Sequence, residues 1–539
     1  MCRSVGKVSD ASCAAIRSIQ DSLTSAPHHH SGVSTKCLHF TNHTSSSALP
    51  TMPPKRVLIV GAGAAGMSCA HLLSQHPEKF HVTLIESTSY CGGQAFSVPI
   101  SESLHGASWL NQGVQGGSPV FRHTLHLMSA LGFPASPVKL QVSFGKNESF
   151  WSNAVPATSL LSRHQSEIRR FSWVVKVVPW LFTLIPVAAL LRSFGFSTEF
   201  VQLLILPSIA LFLGTGNATP QVPGVIMALL FTSKTVGMWA PVDSQRLVAT
   251  EPDMVVFPEL SAFYHRWEEK LRRQGVEIRL STMLSSVDER SSKGVKVTLS
   301  GPHGETMEER YDEMVLCVLA DTAKRVLGSS ATWLERRVLG ATKWSDDVTV
   351  THYDREYMDS FYTLAAASTE SPAKEFNPMY FVRPAPEDPS KIELSFDCSN
   401  YQAQFRNISP DKTHVYQSIF LNEARDSELW TKGKIDREKV IREKWWHQLC
   451  HAWTHYVFVV PWLWLVNWRA RRTLFAGSWT LVNCHEVAVI SGMAAAFRLG
   501  ADYPQEMRDD RVGWNAFWGY CLLVHGMWVK GGPWLRKGK

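Results

Sequence analysis

The chain has 539 residues, 45% of them apolar and 19% charged, which is enough for two domains or one large discontinuous domain. Its formal charge of +7 comes from scattered basic residues without a run of five or six; nucleic-acid binding has little support, and only a weak bias toward anionic substrates or membrane surfaces is left. Ten cysteines form no C-x-x-C pair and no zinc-type cluster, so mostly buried free thiols in a reducing compartment, and no metal site, are expected.

Residues 1–51 are rich in Ser, Thr and His, with Asp10 and Asp21 as the only acids and no apolar run of the kind a secretory signal needs. They read as a disordered extension: either an organelle transit segment, or residues upstream of a start at Met52. The next stretch organises the chain. Val57–Val60 is a short apolar run suited to a strand buried on both faces. Gly61-Ala62-Gly63-Ala64-Ala65-Gly66 follows at once and fits G-x-G-x-x-G, the turn that lets a helix N-terminus approach a pyrophosphate. A helix is predicted from about Ala64 to Ser74, then a strand His81–Ile85 ending in Glu86, 20 residues past Gly66. There a carboxylate meets a ribose 2′-hydroxyl and disfavours a 2′-phosphate, so the ligand expected is not NADP.

A second glycine pair, Gly92-Gly93, comes after five further residues and is followed by Gln94. Asn111–Gly117 is a polar, glycine-rich loop, and Phe121–Leu131 looks helical up to a capping Gly132. Residues 151–240 carry only two acids, Glu167 and Glu199. Within them, Phe171–Leu191 is long enough to span a bilayer, but Lys176, Pro179 and Pro186 argue against it; buried helices of a substrate domain and a patch dipping into a membrane face are the alternatives. Pro258–Gln274 is an amphipathic helix, and Val276–Leu280, Val295–Leu299 and Met314–Leu319 read as strands. Val348–Tyr353 and Ile392–Phe396 alternate as strands. Trp445, Trp446, Trp453, Trp462, Trp464 and Trp468 are expected mostly to pack, with some lining a pocket. Near the end, Thr473–Ala496 reads as a strand, a turn at Gly477-Ser478, and a helix after His485-Glu486-Val487. The aromatic and basic tail 514–539 fits an interfacial anchor, a docking helix or a disordered end.

The glycine pair after the ribose-binding acid, together with the closing segment 473–496, resembles FAD enzymes of the amine oxidase and phytoene desaturase superfamily, closest to its amine-oxidase-like NAD/FAD-binding flavoproteins. The resemblance covers most of 52–504 and extends to Gly113–Gly117, Phe196–Phe200 with Leu206-Pro207, Tyr311–Leu316, Thr351–Asp354 and His485-Glu486. It departs at three places: Ser478 stands where an acid usually follows the glycine, and Thr88 and Gln94 stand where arginines flank the glycine pair.

The resemblance implies an α/β fold of amine-oxidase-like two-domain architecture: a discontinuous Rossmann-type FAD-binding domain with an α+β substrate domain. The expected parts are FAD-binding 52–142, 251–330 and 469–510, a mostly helical apolar substrate segment 143–250, the rest of the substrate domain 331–468, and a tail 511–539. It implies FAD as cofactor, held by Gly61, Gly63, Ala64, Ala65, Gly66, Glu86, Gly92, Gly93, Gln94, Val287 (behind the adenine), Gly477, Ser478, Glu486 and Val487. Hydride would pass from an apolar small or lipid-like molecule to flavin N5, with oxygen or another acceptor reoxidising the flavin. His485 and Glu486 are the acid–base candidates, with Glu486 as a helix cap the competing reading; for His352 and Asp354 a local hydrogen-bonded turn is favoured over contact with substrate. An isomerase of an unsaturated lipid and a non-catalytic flavin-binding membrane-associated protein stay open. An intracellular location, cytoplasmic or organellar, with or without peripheral membrane contact, is expected.

Overall fold

A computed structural model describes residues 53–530 apart from 156–157, 182, 214–215, 249–250, 366–375, 410 and 469–470. The expectations for 1–51 and for the last residues of the tail lie outside this range.

Lys55–Val60 is the centre strand of a five-stranded parallel sheet, between Phe80–Ile85 and Glu313–Leu316, with Glu277–Arg279 and Thr473–Phe475 at the edges. Strands contributed by three separate stretches of chain thus make one sheet. Val57, Leu58 and Ile59 have no exposed surface, as an uninterrupted apolar run requires when helices cover both faces. The helix Ala64–Leu73 follows the glycine turn and is buried along its whole length. Across it lies the helix His485–Leu499, so close that a Cβ on Gly492 would stand 1.9 Å from the Ala65 carbonyl; the Ser68 hydroxyl also donates to the Val489 carbonyl. The amphipathic helix is observed at Leu260–Arg273 with Phe263, Tyr264 and Trp267 inward.

A second, seven-stranded sheet runs in the order Val440–Leu449, Trp344–His352, Tyr416–Leu421, Ile392–Asp397, Tyr380–Pro384, Val142–Phe144, Trp151–Ser152. All pairs are antiparallel except Tyr380–Pro384 with Val142–Phe144. The period of two along Trp344–His352 sorts its residues. Val348 and Val350 enter an aromatic cluster with Tyr357, Tyr416 and Phe420. Asp347, Thr349 and Thr351 point to the opposite face, where Thr349 accepts from the Trp446 indole and Thr351 from Gln112.

The apolar stretch 171–191 is not one rod. The helix Gln165–Val177 gives way to a tight turn at Val178–Leu181, and a new helix starts at Val187 behind Pro186. Among the described residues no helix is long and apolar enough to cross a membrane. Much of the tail is a docked helix, Arg511–His525, capped by the Asp510 carboxylate and buried through Trp514, Phe517 and Tyr520 against helices His485–Leu499 and Leu463–Trp468. The Trp-rich stretch is more exposed than expected: Trp445, Trp462, Trp464 and Trp468 are open to solvent, whereas Trp446 is buried.

Candidate active site

A cleft of roughly 1610 Å³ runs from the first glycine turn, past the closing turn, into the space beside the seven-stranded sheet. Gly61, Gly63, Ala64, Ala65, Glu86, Gly92, Gly93, Gln94, Gly477, Ser478, His485, Glu486 and Val487 all line it, so elements far apart in sequence converge on one wall.

The three glycines of the turn do different work. Gly61 has φ +99°, and a Cβ there would press on the Cys317 carbonyl at 2.8 Å. At Gly66 a Cβ would stand 1.8 Å from the Gly61 carbonyl, so helix and turn can close only on glycine. Gly63 meets nothing: a Cβ would project into open cleft, which is the space a bound phosphate needs. Among the described residues no side chain caps the helix start at Gly63, so its first N–H groups are left for an anion.

Glu86 sits at the end of Phe80–Ile85 with its carboxylate tied on both sides. Oε2 accepts from the Ala62 N–H (2.8 Å), and Oε1 accepts from the Thr88 N–H (2.9 Å) and the Thr88 and Ser87 hydroxyls. A carboxylate oxygen can accept twice, so Oε2 keeps a place for a hydroxyl donor. Thr88, at a position where an arginine is usual in the resembled enzymes, therefore orients the acid. At the other end Gly477, with φ +137°, donates its N–H to the Ser491 hydroxyl (2.8 Å), and the Ser478 hydroxyl donates to Asn483 (3.0 Å). Arg325 and Arg511 bring positive charge to the lining. The donor set, the open space at Gly63 and the placement of Glu86 fit a dinucleotide.

Both acid–base candidates are engaged within the protein. Glu486 Oε1 accepts from the N–H and Nδ1 of His123 (3.0 and 2.7 Å), and Oε2 from the Thr124 N–H (2.9 Å). It caps the helix Arg122–Ala130 from 363 residues away, a different helix from the one it opens. Burial alone would raise its pKa, but His123 and the two backbone N–H groups outweigh burial and hold it below the usual carboxylate range. His485 is also committed, with Nδ1 on the Thr124 hydroxyl (3.0 Å) and Nε2 on the Tyr264 hydroxyl (2.6 Å). Burial pushes its pKa down to about 4, so the ring is neutral at ordinary pH.

Val287 lies on Met283–Ser291, buried opposite Val297; at the start of that strand Thr282, Met283 and Leu284 line the cleft. His352 and Asp354 form a local network away from the cleft. His352 bonds the Ser418 hydroxyl and the Asp354 N–H, and Asp354 caps the helix Arg355–Phe361.

The far lobe is apolar, lined by Leu211, Phe212, Ile226, Met238, Phe396 and Trp446 among others. Gln115, Gln448 and Asn483 are polar exceptions. Gln115 accepts from Gln402 (3.1 Å) and donates to Gln417, which fixes the loop Asn111–Gly117 against the second sheet. Gln115 lies in the glycine-rich loop that the sequence singled out, whereas Gln448 carried no sequence signal and becomes a wall residue only when the second sheet assembles.

A family model described as an NAD(P)-binding Rossmann-like domain matches residues 59–129. No curated protein sequence matches significantly. Among solved structures, a protein described as a protoporphyrinogen oxidase from Exiguobacterium sp. 255-15 is similar at 16% identity and TM-score 0.59, over 83% of this chain and 99% of that one. Putrescine oxidase bound to putrescine is similar at 12% identity and TM-score 0.55, over 83% and 99%. A CLA-producing fatty acid isomerase from P. acnes is similar at 15% identity and TM-score 0.54, over 82% and 98%. The chain thus has a mixed α/β fold with a Rossmann-like dinucleotide-binding domain. Its overall fold is shared with these solved structures.

Proposed function

We propose that the chain is an FAD-dependent oxidoreductase acting on an apolar small or lipid-like molecule. The observation that carries this reading is the single cleft, which joins a dinucleotide-type wall (Gly61–Gly66, Glu86, Gly477–Val487) to an apolar lobe. When bound, FAD supplies the acceptor for a hydride from the substrate, and the protein supplies binding, orientation and a dry site. Glu86 would take a ribose hydroxyl, the N-terminus at Gly63 a phosphate, and Gly92, Gly93, Gln94, Ser478 and Val487 the remaining wall. Leu211, Phe212, Phe396 and Trp446 exclude water from the substrate. Of the ordinary acid–base side chains lining the main cleft, Glu86, His485 and Glu486 are all engaged in hydrogen bonds inside the protein. The chemistry therefore rests on substrate orientation rather than on proton transfer by His485 or Glu486.

The same geometry supports a second reading, an isomerase of an unsaturated lipid, in which the hydride is lent and returned; a fatty acid isomerase shares the fold. Peripheral contact with a membrane, as part of either reading, is supported by the solvent-exposed Trp173 and Trp180 (62% and 88% exposed), with Leu181 and Ile185 beside them. Anaerobic titration of flavin-loaded protein with candidate amines, alcohols and unsaturated fatty acids tests the proposal. Bleaching of the flavin bands that reverses on admission of oxygen supports the oxidase reading. Conversion of a fatty acid without oxygen uptake supports the isomerase. Flavin that no candidate of either class reduces or turns over would count against both.

A further inference from the structure

Beside the apolar lobe lies a smaller chamber of roughly 180 Å³ that shares Gly113, Phe212, Phe396, Gln448 and Asn483 with the main cleft. Ile392, Leu394, Ile419 and Leu421 form an aliphatic patch on one face of the sheet. Beside that patch lie three polar side chains in a hydrogen-bonded row. Gln448 donates to Asp347 Oδ2 (3.0 Å), Asn483 donates to the Gln448 carbonyl oxygen (3.2 Å), and the Ser478 hydroxyl donates to Asn483 (3.0 Å). The row thus runs from the chamber to the turn that closes the cofactor wall.

Asp347 is the unusual member. It is only 3% exposed, and its Oδ1 has no hydrogen-bond partner among the described residues. A buried carboxyl left short of donors is costly to a fold, of the order of 1–3 kcal/mol for each unmade bond in general. Among the described residues no cation pairs with it: the neighbouring Asp346 is itself bound to His447, and the paired residues on the flanking strands are Leu421 and Trp446. An unpaired carboxyl oxygen beside an aliphatic patch is a binding surface for a group with an apolar body and a hydrogen-bond donor at its edge. The volume sets the size of that body, since a cavity of about 150 Å³ holds a benzene ring.

We propose that this chamber is a substrate subsite, in which Asp347 receives the hydroxyl or amine of a ring-sized apolar group. The inference rests on the reading of the main cleft as a substrate site, and it narrows the substrate class to compounds with a donor at one end. Asp347 is then a specificity-determining residue.

The test is calorimetric titration of the flavin-loaded protein with benzyl alcohol, benzylamine and toluene, which are alike in size and differ in the donor. At least about tenfold tighter binding of benzyl alcohol or benzylamine than of toluene is expected, the gain from one hydrogen bond to a charged or buried acceptor. Asp347→Leu should bring the three ligands to within about twofold of one another while leaving the flavin spectrum intact. Asp347→Asn separates the two donors: it keeps the preference for the alcohol and removes any for the amine. It also serves as the test variant if Asp347→Leu does not fold, and an unchanged amine preference in Asp347→Asn would then overturn an assignment to the amine. Equal affinity for toluene and both donor ligands in the wild type, with flavin present, would overturn the subsite alone. A protein that holds no flavin would instead remove the reading of the main cleft, and the absorption spectrum reports this before any ligand is added.

Discussion

Asp347→Asn should change how stability depends on pH, and by a large amount. Burial, with Asp346 alongside, raises the Asp347 carboxyl from its ordinary 3.8 to about 7. Between those values the unfolded chain has released this proton and the native protein still holds it. The unfolded state therefore binds fewer protons, so stability falls as pH rises from about 4 and levels off above about 7. At roughly 1.4 kcal/mol per pKa unit, the full cost above pH 7 is ~4 kcal/mol. Asparagine cannot ionise, and its carbonyl can still accept from Gln448. The variant should match the wild type near pH 4.5 and exceed it by several kcal/mol at pH 8. Urea unfolding of both proteins at half-unit steps from pH 4.5 to 8.5 measures this, and the difference between the two curves cancels the titration of other groups. Parallel curves would refute the reasoning, because they would mean that Asp347 ionises in the native protein as it does in water.

The glycine turn gives a contrast between neighbours. Gly63→Ala should keep the melting temperature and lose flavin, because its methyl enters open cleft, whereas Gly66→Ala should lower stability by about 2 kcal/mol or more through its clash with the Gly61 carbonyl; equal flavin retention by Gly63→Ala and the wild type would contradict the assignment of that space. Glu486→Gln should act on stability, costing about 3 kcal/mol by breaking a buried pair with His123, as read by thermal unfolding; a variant of unchanged stability that loses only turnover would restore Glu486 as an acid–base residue. With the His485 pKa pushed down to about 4, the rate of anaerobic flavin bleaching should show no histidine limb between pH 5 and 8, and His485→Asn should not alter the shape of that profile.

The cofactor wall was legible in the sequence because its logic is local. A strand, a glycine turn, a helix and an acid 20 residues on are consecutive, and each residue type is dictated by backbone geometry or by one hydrogen bond. The closing turn at Gly477 was legible through its resemblance to the closing motif of the amine oxidase and phytoene desaturase superfamily. Glu486 was not, because its partners, His123 and Thr124, are 363 and 362 residues away and nothing near Glu486 announces a helix to be capped. The substrate side was least legible. Its sheet joins strands drawn from Val142 to Leu449, so that Asp347, Gln448 and Asn483 become neighbours of one cavity only through long-range pairing. Alternation identified Val348–Tyr353 as part of a strand, but it could not say which face would meet a cleft. The tryptophans misled for a related reason: aromatic content alone does not distinguish Trp446, buried in the wall, from its exposed neighbour Trp445.

The central claim, that the cleft holds FAD, is tested most directly by the visible absorption spectrum of the purified protein after desalting. Flavin bands should survive desalting, and the released cofactor should be identified as FAD after denaturation. A folded protein that is colourless and takes up no added FAD would contradict the account.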